Sequence, residues 1–466
     1  MIASMNGRVP AALIGFILCF GGFISRADTV AEAREHAEKG VQSARSGDLI
    51  SAEAELQRAV ELAPEDASYL TSLGGILGME QKFAEANVYF ERAVERDRTN
   101  AAARRNLAAN EWRLGQFKQA QANLEMLLRI QPQDKVAKLL LGMVSENQHD
   151  YARAAKLLGG VPELVEQQPE SIAALASAYY HTERREEAHK TLALLLTRTD
   201  ASPQGIFAAA GVAAQVRDYR LAEQLFDSIR YKYPDTAALQ YNLALIQFRT
   251  GRITESQRTL LEAVHSGPGK AEIYNLLGTV ETKMDLFTDA IKSYSRAIEL
   301  DPNSIDAEVG LASARWAAGM HSEAEAQFQL LLKRHPREAI VYESYGTSLL
   351  GAAGDDAMFR RAADLLKKAA SLDASRAETH YQLGLLELKR NEAEVTLESL
   401  RQALGELQTA ARLGLNDSKI HYALARVYRR LGREAEATSE MQLYQKLKES
   451  EGHSNRNGQP GGLEAR

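Results

Sequence analysis

Small apolar side chains recur along this chain at a fixed step. Counting 34 residues at a time from Ala52 meets Ala86, Ala120, Ala154, Ala188, Ala222, Ser256, Ala290 and Ala324 without an insertion. In the same phase a second small column runs through Gly40, Gly74, Ala108, Gly142, Ala176, Ala210, Ala244, Gly278 and Ala312. A proline column follows at Pro64, Pro132, Pro234, Pro268, Pro302 and Pro336. An internal repeat of this period overrides any domain count drawn from length alone.

Each column has its own physical reading. The early small residue lets the first helix of a repeat approach its neighbour, and the later alanine does the same for the second helix. Proline lacks a backbone donor and disfavours helix in the residue before it, so its column marks the break between repeats. Glycine at Gly47, Gly115, Gly251, Gly319 and Gly432 marks the turn inside a repeat. The spacing therefore predicts a helix, a tight turn and a second helix in every 34 residues.

With these columns in place the chain resembles the tetratricopeptide repeat family. The best single match is Tyr274, Leu277, Gly278, Ala290, Tyr294, Ala297 and Pro302. Arg98, Glu166 and Asp200 stand where proline is expected, which loosens boundaries without removing helices. After Pro336 the phase slips: Gly351 to Asp356 lengthens one turn by about four residues, and Asn391 to Leu397 is read as prolonging two helices. A last clean unit holds Leu424, Ala425, Tyr428, Gly432, Ala437 and Met441. The resemblance implies an all-α fold, a right-handed α-solenoid of about twelve repeats over residues 28–447, looser after 338.

The two ends lie outside the repeat. Arg8, an apolar run from Ala11 to Ile24, and Ser25-Arg26-Ala27 fit a signal peptide over residues 1–27, cleaved before Asp28. A retained anchor is the alternative, but a run of about 14 residues falls short of the ~20 that cross a bilayer. Residues 451–466 are polar, glycine-rich and without period, and read as a disordered tail. Removing Arg8 and Arg26 with the signal takes the net charge from −6 to −8, which argues against nucleic acid as principal ligand. It also removes Cys19, the only cysteine, and with it any disulfide or thiolate metal site. Charged residues at 25%, hydrophobic residues at 45% and only 11 prolines are the balance of a soluble helical protein.

Candidate chemistry is thin. His181 and His189 are the closest histidines, but the phase puts a turn between them, and His36, His380 and His421 share one column that reads as packing. Gly267-Pro268-Gly269-Lys270 lacks the strand and the hydroxyl residue of a phosphate loop and reads as an inter-repeat break. Gly74, Gly75 and Gly78 fall inside a first helix and read as packing residues. No catalytic residue, metal site, cofactor or small-molecule substrate is expected.

In this family the first helices line an inner, concave face. The columns implied to point there collect Arg105, Trp112, Arg113, Tyr180, Phe207, Tyr241, Phe248, Arg249, Trp316, Tyr381 and Tyr422. Aromatics with arginine dominate binding energy at protein interfaces, so these form a candidate groove; packing between repeats is the competing reading. Family members that clamp a carboxylate carry Lys and Asn one turn apart, where this chain has Ala37 and Val41, Thr71 and Gly75, and Arg105 and Ala109. The last unit presents Arg426, Arg429, Arg430 and Arg433, either a solvated capping face or a patch for an acidic partner.

The expected function is a non-catalytic exported scaffold, periplasmic or extracellular, whose partners are other proteins or peptide segments. The alternatives are an accessory subunit of a bacterial envelope assembly, or of a polysaccharide or pilus export system, with peripheral envelope association, and an enzyme with its site built on the solenoid. Export is checked directly: intact mass of the native protein should begin at Asp28, and a stable product retaining Met1 overturns it.

Overall fold

The structure, a computed structural model, describes residues 26–265, 269–352, 356–389, 396–414 and 418–456. Residues 1–25 of the segment read as a signal, residues 353–355 and 391–395 of the two phase slips, and residues 457–466 lie outside the described residues, as do Gly267 and Pro268. Among the described residues there are helices and no strand. They fall into two compact units, divided after Thr191.

The first unit holds α1 (Arg26–Arg45), α2 (Leu49–Leu62), α3 (Ala67–Met79), α4 (Phe83–Arg96), α5 (Ala101–Arg113), α6 (Phe117–Ile130), α7 (Lys135–Asn147), α8 (Tyr151–Gly159), the single turn α9 (Pro162–Val165), α10 (Pro169–His181) and most of α11 (Arg185–Ala193). The second holds α12 (Pro203–Gln215), α13 (Tyr219–Ser228), α14 (Thr236–Arg249), α15 (Ile253–His265), α16 (Ala271–Lys283), α17 (Phe287–Leu300), α18 (Ile305–Ala317), α19 (His321–Arg334), α20 (Ala339–Ala352), α21 (Asp356–Leu372), α22 (Ala377–Lys389), α23 (Leu397–Arg412), α24 (Ser418–Arg430) and α25 (Glu434–Arg456). Apart from α9, these are twelve helix pairs, the number the spacing requires. Within each unit the second helix of a pair also packs on the first helix of the next, as α4 does on α5 and α17 on α18, so each unit is a row of stacked pairs.

The early small column is explained by one contact. A Cβ built on Gly40, Gly74, Gly142 or Gly278 would lie 2.7, 2.8, 2.6 and 2.9 Å from Leu56, Phe90, Leu158 and Tyr294. Each partner is the large residue one turn past the later alanine, on the second helix of the same pair. Gly346 against Leu366 (2.9 Å) and Gly384 against Leu407 (2.5 Å) keep the contact where the phase has slipped. The later column is fully buried from Ala52 to Ala324, and its one departure is satisfied, since buried Ser256 donates its hydroxyl to the Ala244 carbonyl at 2.8 Å.

Helix boundaries follow local chemistry. Asp66, Asn100, Asp134, Ser202, Asp235 and Ser304 each cap a first helix by accepting from a backbone N–H of its opening turn. Where proline is replaced at Glu166 and Asp200 the second helix is short: α8 stops at Gly159 before Pro162 opens α9, and α11 runs into a 3₁₀ turn over Leu194–Thr197. At Arg98, by contrast, α4 keeps its full length. Of the residues read as prolonging two helices, Leu397 opens α23 behind a Thr396–Ser399 capping box, so a new helix starts there. The final helix runs to Arg456, into the stretch expected to be a tail.

The turn inside each described repeat carries one left-handed residue. Five are the glycines at 47, 115, 251, 319 and 432, and the others are Gln81, His149, Glu183, Arg217 and Asp285, with φ between 60° and 65°. A side chain in this region costs about 1–2 kcal/mol. Gly251→Ala should therefore lower stability by about that amount, whereas Gln81→Gly should leave it unchanged or raise it by up to about 1 kcal/mol. Thermal unfolding of the two variants checks this, and an equal loss in both contradicts it.

Candidate partner-binding face

The helical period places the candidate groove residues on the exposed sides of the first helices, but adjacent first helices cover them unequally. In the first unit Arg105, Trp112 and Tyr180 are half-buried and Arg113 is exposed. In the second, Phe207, Tyr241, Phe248 and Tyr381 are half-buried, Arg249 and Tyr422 are exposed, and Trp316 is only 7% exposed. The aromatics thus do not form one open stripe. Trp316 sinks between α18 and α20, with its ring 6.4 Å from that of Tyr345, which itself stacks on Phe328 at 4.7 Å. Phe207 lies flat on Tyr233 at 4.4 Å and edge-on to Phe226 at 5.2 Å. Trp112 packs on the buried cluster that contains Ala108, Leu124 and Leu141, and Tyr241 and Phe248 on the one that contains Ala244, Leu260 and Leu277.

Arg105 is engaged inside the protein. Its guanidinium pairs with Asp134, the cap of the next first helix. Burial raises the cost of charging Asp134, but Arg105 and the Ala137 amide outweigh it and hold the carboxyl below its ordinary value. This arginine ties one repeat to the next.

Open space on these faces appears where glycine interrupts a first helix. In the first unit a cleft of about 520 Å³ is lined by Gly75, Gly78, Asn106, Asn110 and Arg113. A Cβ on Gly75 would meet nothing within 4 Å, and one on Gly78 would only reach the Asn110 side chain at 3.9 Å. Of the three glycines read as packing residues, only Gly74 is one; the other two make room. Gly211 likewise lines a cleft of about 370 Å³ with Asn242 and Arg249 in the second unit.

A further cleft of about 520 Å³ lies between α18 and α20, lined by Ser313, Trp316, Glu343, Ser344, Thr347, Gly351 and, from α22, Glu378. Glu343 there is buried and accepts from Nε and Nη2 of Arg376 (2.9 and 2.7 Å) and from the Thr379 hydroxyl. Two clefts share a further feature. Asn110, 4% exposed in the first, and Trp316 in this one each bury an N–H donor, Nδ2 and Nε1, that has no acceptor among the described residues; the Thr347 hydroxyl is also without a partner. A buried donor left unpaired costs about 1–3 kcal/mol, which an incoming acceptor recovers.

Two buried acids are satisfied inside helix pairs. Burial pushes Glu111 up to about 7 against a bond from Asn123 (3.0 Å), and pushes Glu281 upward against one from Ser293 (2.7 Å). Both acids occupy the same repeat position and neither lines a cleft described above. The shared histidine column proves to be a bonded one: His36, His380 and His421 lie 2.6, 2.5 and 2.7 Å from Glu55, Glu406 and Glu440 of the paired second helices. His181 instead stacks on Tyr151 at 3.9 Å. Among the described residues no three metal-binding side chains cluster, and no helix is long and apolar enough to cross a membrane.

Two family descriptions, both tetratricopeptide repeat, match residues 79–144 and 283–343, and residues 207–256 and 247–305. Superkiller complex protein 3 of Homo sapiens is 24% identical over 166 residues, 35% of this chain and 10% of its own length. Protein CTR9 homolog of Arabidopsis thaliana is 21% identical over 382 residues, 77% of this chain and 32% of its own. The chain thus spans a minor part of these relatives. The crystal structure of yeast Tom70 aligns over 91% of this chain and 94% of that one, with 15% identity and a TM-score of 0.47.

Packing and face roles separate on mutation. Trp316→Ala should cost about 3–5 kcal/mol, as a large core side chain does, while Arg113→Ala and Arg249→Ala should stay within about 0.5 kcal/mol. Hydrogen exchange should show the Trp316 loss concentrated around α18 to α21. A Trp316→Ala variant as stable as Arg249→Ala would refute the buried placement.

Proposed function

The chain belongs to the tetratricopeptide repeat family, and from that premise we propose that it is a non-catalytic scaffold that receives polypeptide segments in the clefts of its first-helix faces. A repeat scaffold of this kind is suited to protein–protein interaction. The observation that carries the finer reading is the pair of buried, unpaired N–H donors, Asn110 Nδ2 and Trp316 Nε1, each in a cleft on that face. A polypeptide presents a carbonyl acceptor at every residue, so an extended segment supplies what both donors lack. Arg113, exposed beside Phe83 with its guanidinium 5.5 Å from the ring, offers a second point of attachment in the first unit. The proposed setting is outside the cytoplasm after removal of residues 1–27, as the Arg8 to Ala27 pattern implies.

Selection of a displayed peptide library on the mature chain tests the reading. Trp316→Phe keeps an aromatic ring but removes the donor, and affinity for peptides taken by the second unit should fall about tenfold, the worth of one good hydrogen bond. Gly75→Leu fills the first-unit cleft while replacing a half-buried helical glycine with open space at its Cβ, so it should abolish binding there and leave stability equal or about 0.5–1 kcal/mol higher. Failure to select any peptide, or affinities indifferent to both changes, would falsify the proposal.

A further inference from the structure

The last helix pair departs in charge from the rest of the chain. The whole sequence has a net charge of −6, yet α24 carries Lys419, Arg426, Arg429 and Arg430 and no acid. Tyr422 and Arg429 occupy the repeat positions of Arg105 and Trp112, and Arg426 lies between them on the same helical face. Tyr422 is 44% exposed, where Trp316 is buried and the other groove rings are half-buried. The Arg426 guanidinium lies 6.0 Å from the Tyr422 ring, that ring lies 5.3 Å from Tyr444 on α25, and Lys448 Nζ lies 5.3 Å from the Tyr444 ring. Two cations therefore flank two adjoining tyrosines in one row.

The row exists because this pair relaxes a rule of the others. Tyr444 stands at the repeat position of Ala59, Ala93, Ala263 and Ala297, which are small and buried because a following first helix packs there. No described helix follows α25, and Tyr444 remains half-buried with Leu443 exposed beside it. Neither Arg426 nor Arg429 forms an ion pair among the described residues, whereas Arg433 next to them pairs with Glu436 and Arg376 with Glu343. Cations left without carboxylates, beside open rings, fit a ligand that brings acids and apolar groups together.

We propose that the α24–α25 pair docks an acidic, extended polypeptide segment, its carboxylates on Arg426 and Arg429 and its apolar side chains over Tyr422 and Tyr444. The strip is narrow: α24 is about 20 Å long, the span of roughly six extended residues. Acids neighbour it on the same pair, Glu436 bonded to Arg433 and Glu440 to His421 of α24. Those acids repel a broad anionic surface such as a duplex or a charged bilayer, and a single strand avoids them. The proposal rests on the reading that first-helix faces receive polypeptide, but uses different residues from the Asn110 and Trp316 clefts.

The test uses the full mature chain and a fluorescently labelled glutamate-rich peptide with a central Phe. Binding should weaken with added salt and fall about tenfold or more in Arg426→Glu/Arg429→Glu, with Arg426→Gln/Arg429→Gln between the two and thermal unfolding unchanged in the latter. Tyr422→Ala should weaken it further without altering its salt dependence. Trp316→Phe should bind this peptide as the parent does, which separates loss of this strip from loss of the cleft. Parent-like affinity in both arginine variants overturns the proposal, as does competition by a duplex oligonucleotide or phosphatidylglycerol vesicles that matches the peptide and is lost in the same variants.

Discussion

The structure depends on how closely the two helices of a pair approach. That distance is set where a small residue of the first helix meets one large side chain of the second, as Gly74 meets Phe90 and Gly278 meets Tyr294. A Cβ at the glycine would come within 3 Å of the ring, so the pair would open. Because the same contact recurs down each row, it fixes the pair, and the pair fixes where the next one stacks. The fully buried alanines that follow, from Ala52 to Ala324, are the complementary half of the constraint.

Close pairs leave little interior for polar groups, yet several are present and many are answered locally. Glu111 takes bonds from Asn123 and Glu281 from Ser293, twelve residues on in both cases. His36, His380 and His421 meet glutamates on their paired helices. Arg105 and Asp134 join consecutive repeats. These bonds choose one register among the many that hydrophobic packing alone would allow. Among the buried polar atoms left without a partner, the donors on Asn110 and Trp316 both belong to residues that border open space.

The faces are shaped by omission as much as by the residues present. Gly75, Gly211 and Gly351 each sit on a first helix with nothing near the missing Cβ, and each lines a cleft. In an ordinary helix such a glycine is a cost of about 0.5–1 kcal/mol without return. At the end of the second unit the same face changes character, from clefts with buried donors to an open row of cations and tyrosines. One scaffold thus presents two kinds of surface because its helix pairs differ at positions that the packing columns leave free and, at Tyr444, at one that they fix elsewhere.

The sequence by itself determined the helix pairs, their number and most of their turns, because a 34-residue step repeats the same packing demand and small residues cannot be replaced where backbones nearly touch. It did not reveal Gln81, Glu183 or Arg217 as left-handed, since the demand there comes from closing one helix onto another and no residue type marks it. The columns place the candidate residues on the first helices without showing how far each ring is covered. Trp112 and Trp316 share one repeat position, but the first is half-buried and the second sunk against Tyr345. Only the tertiary structure decided that difference. Helical period fixes which side chains share a face, while exposure depends on the size of residues a full repeat away.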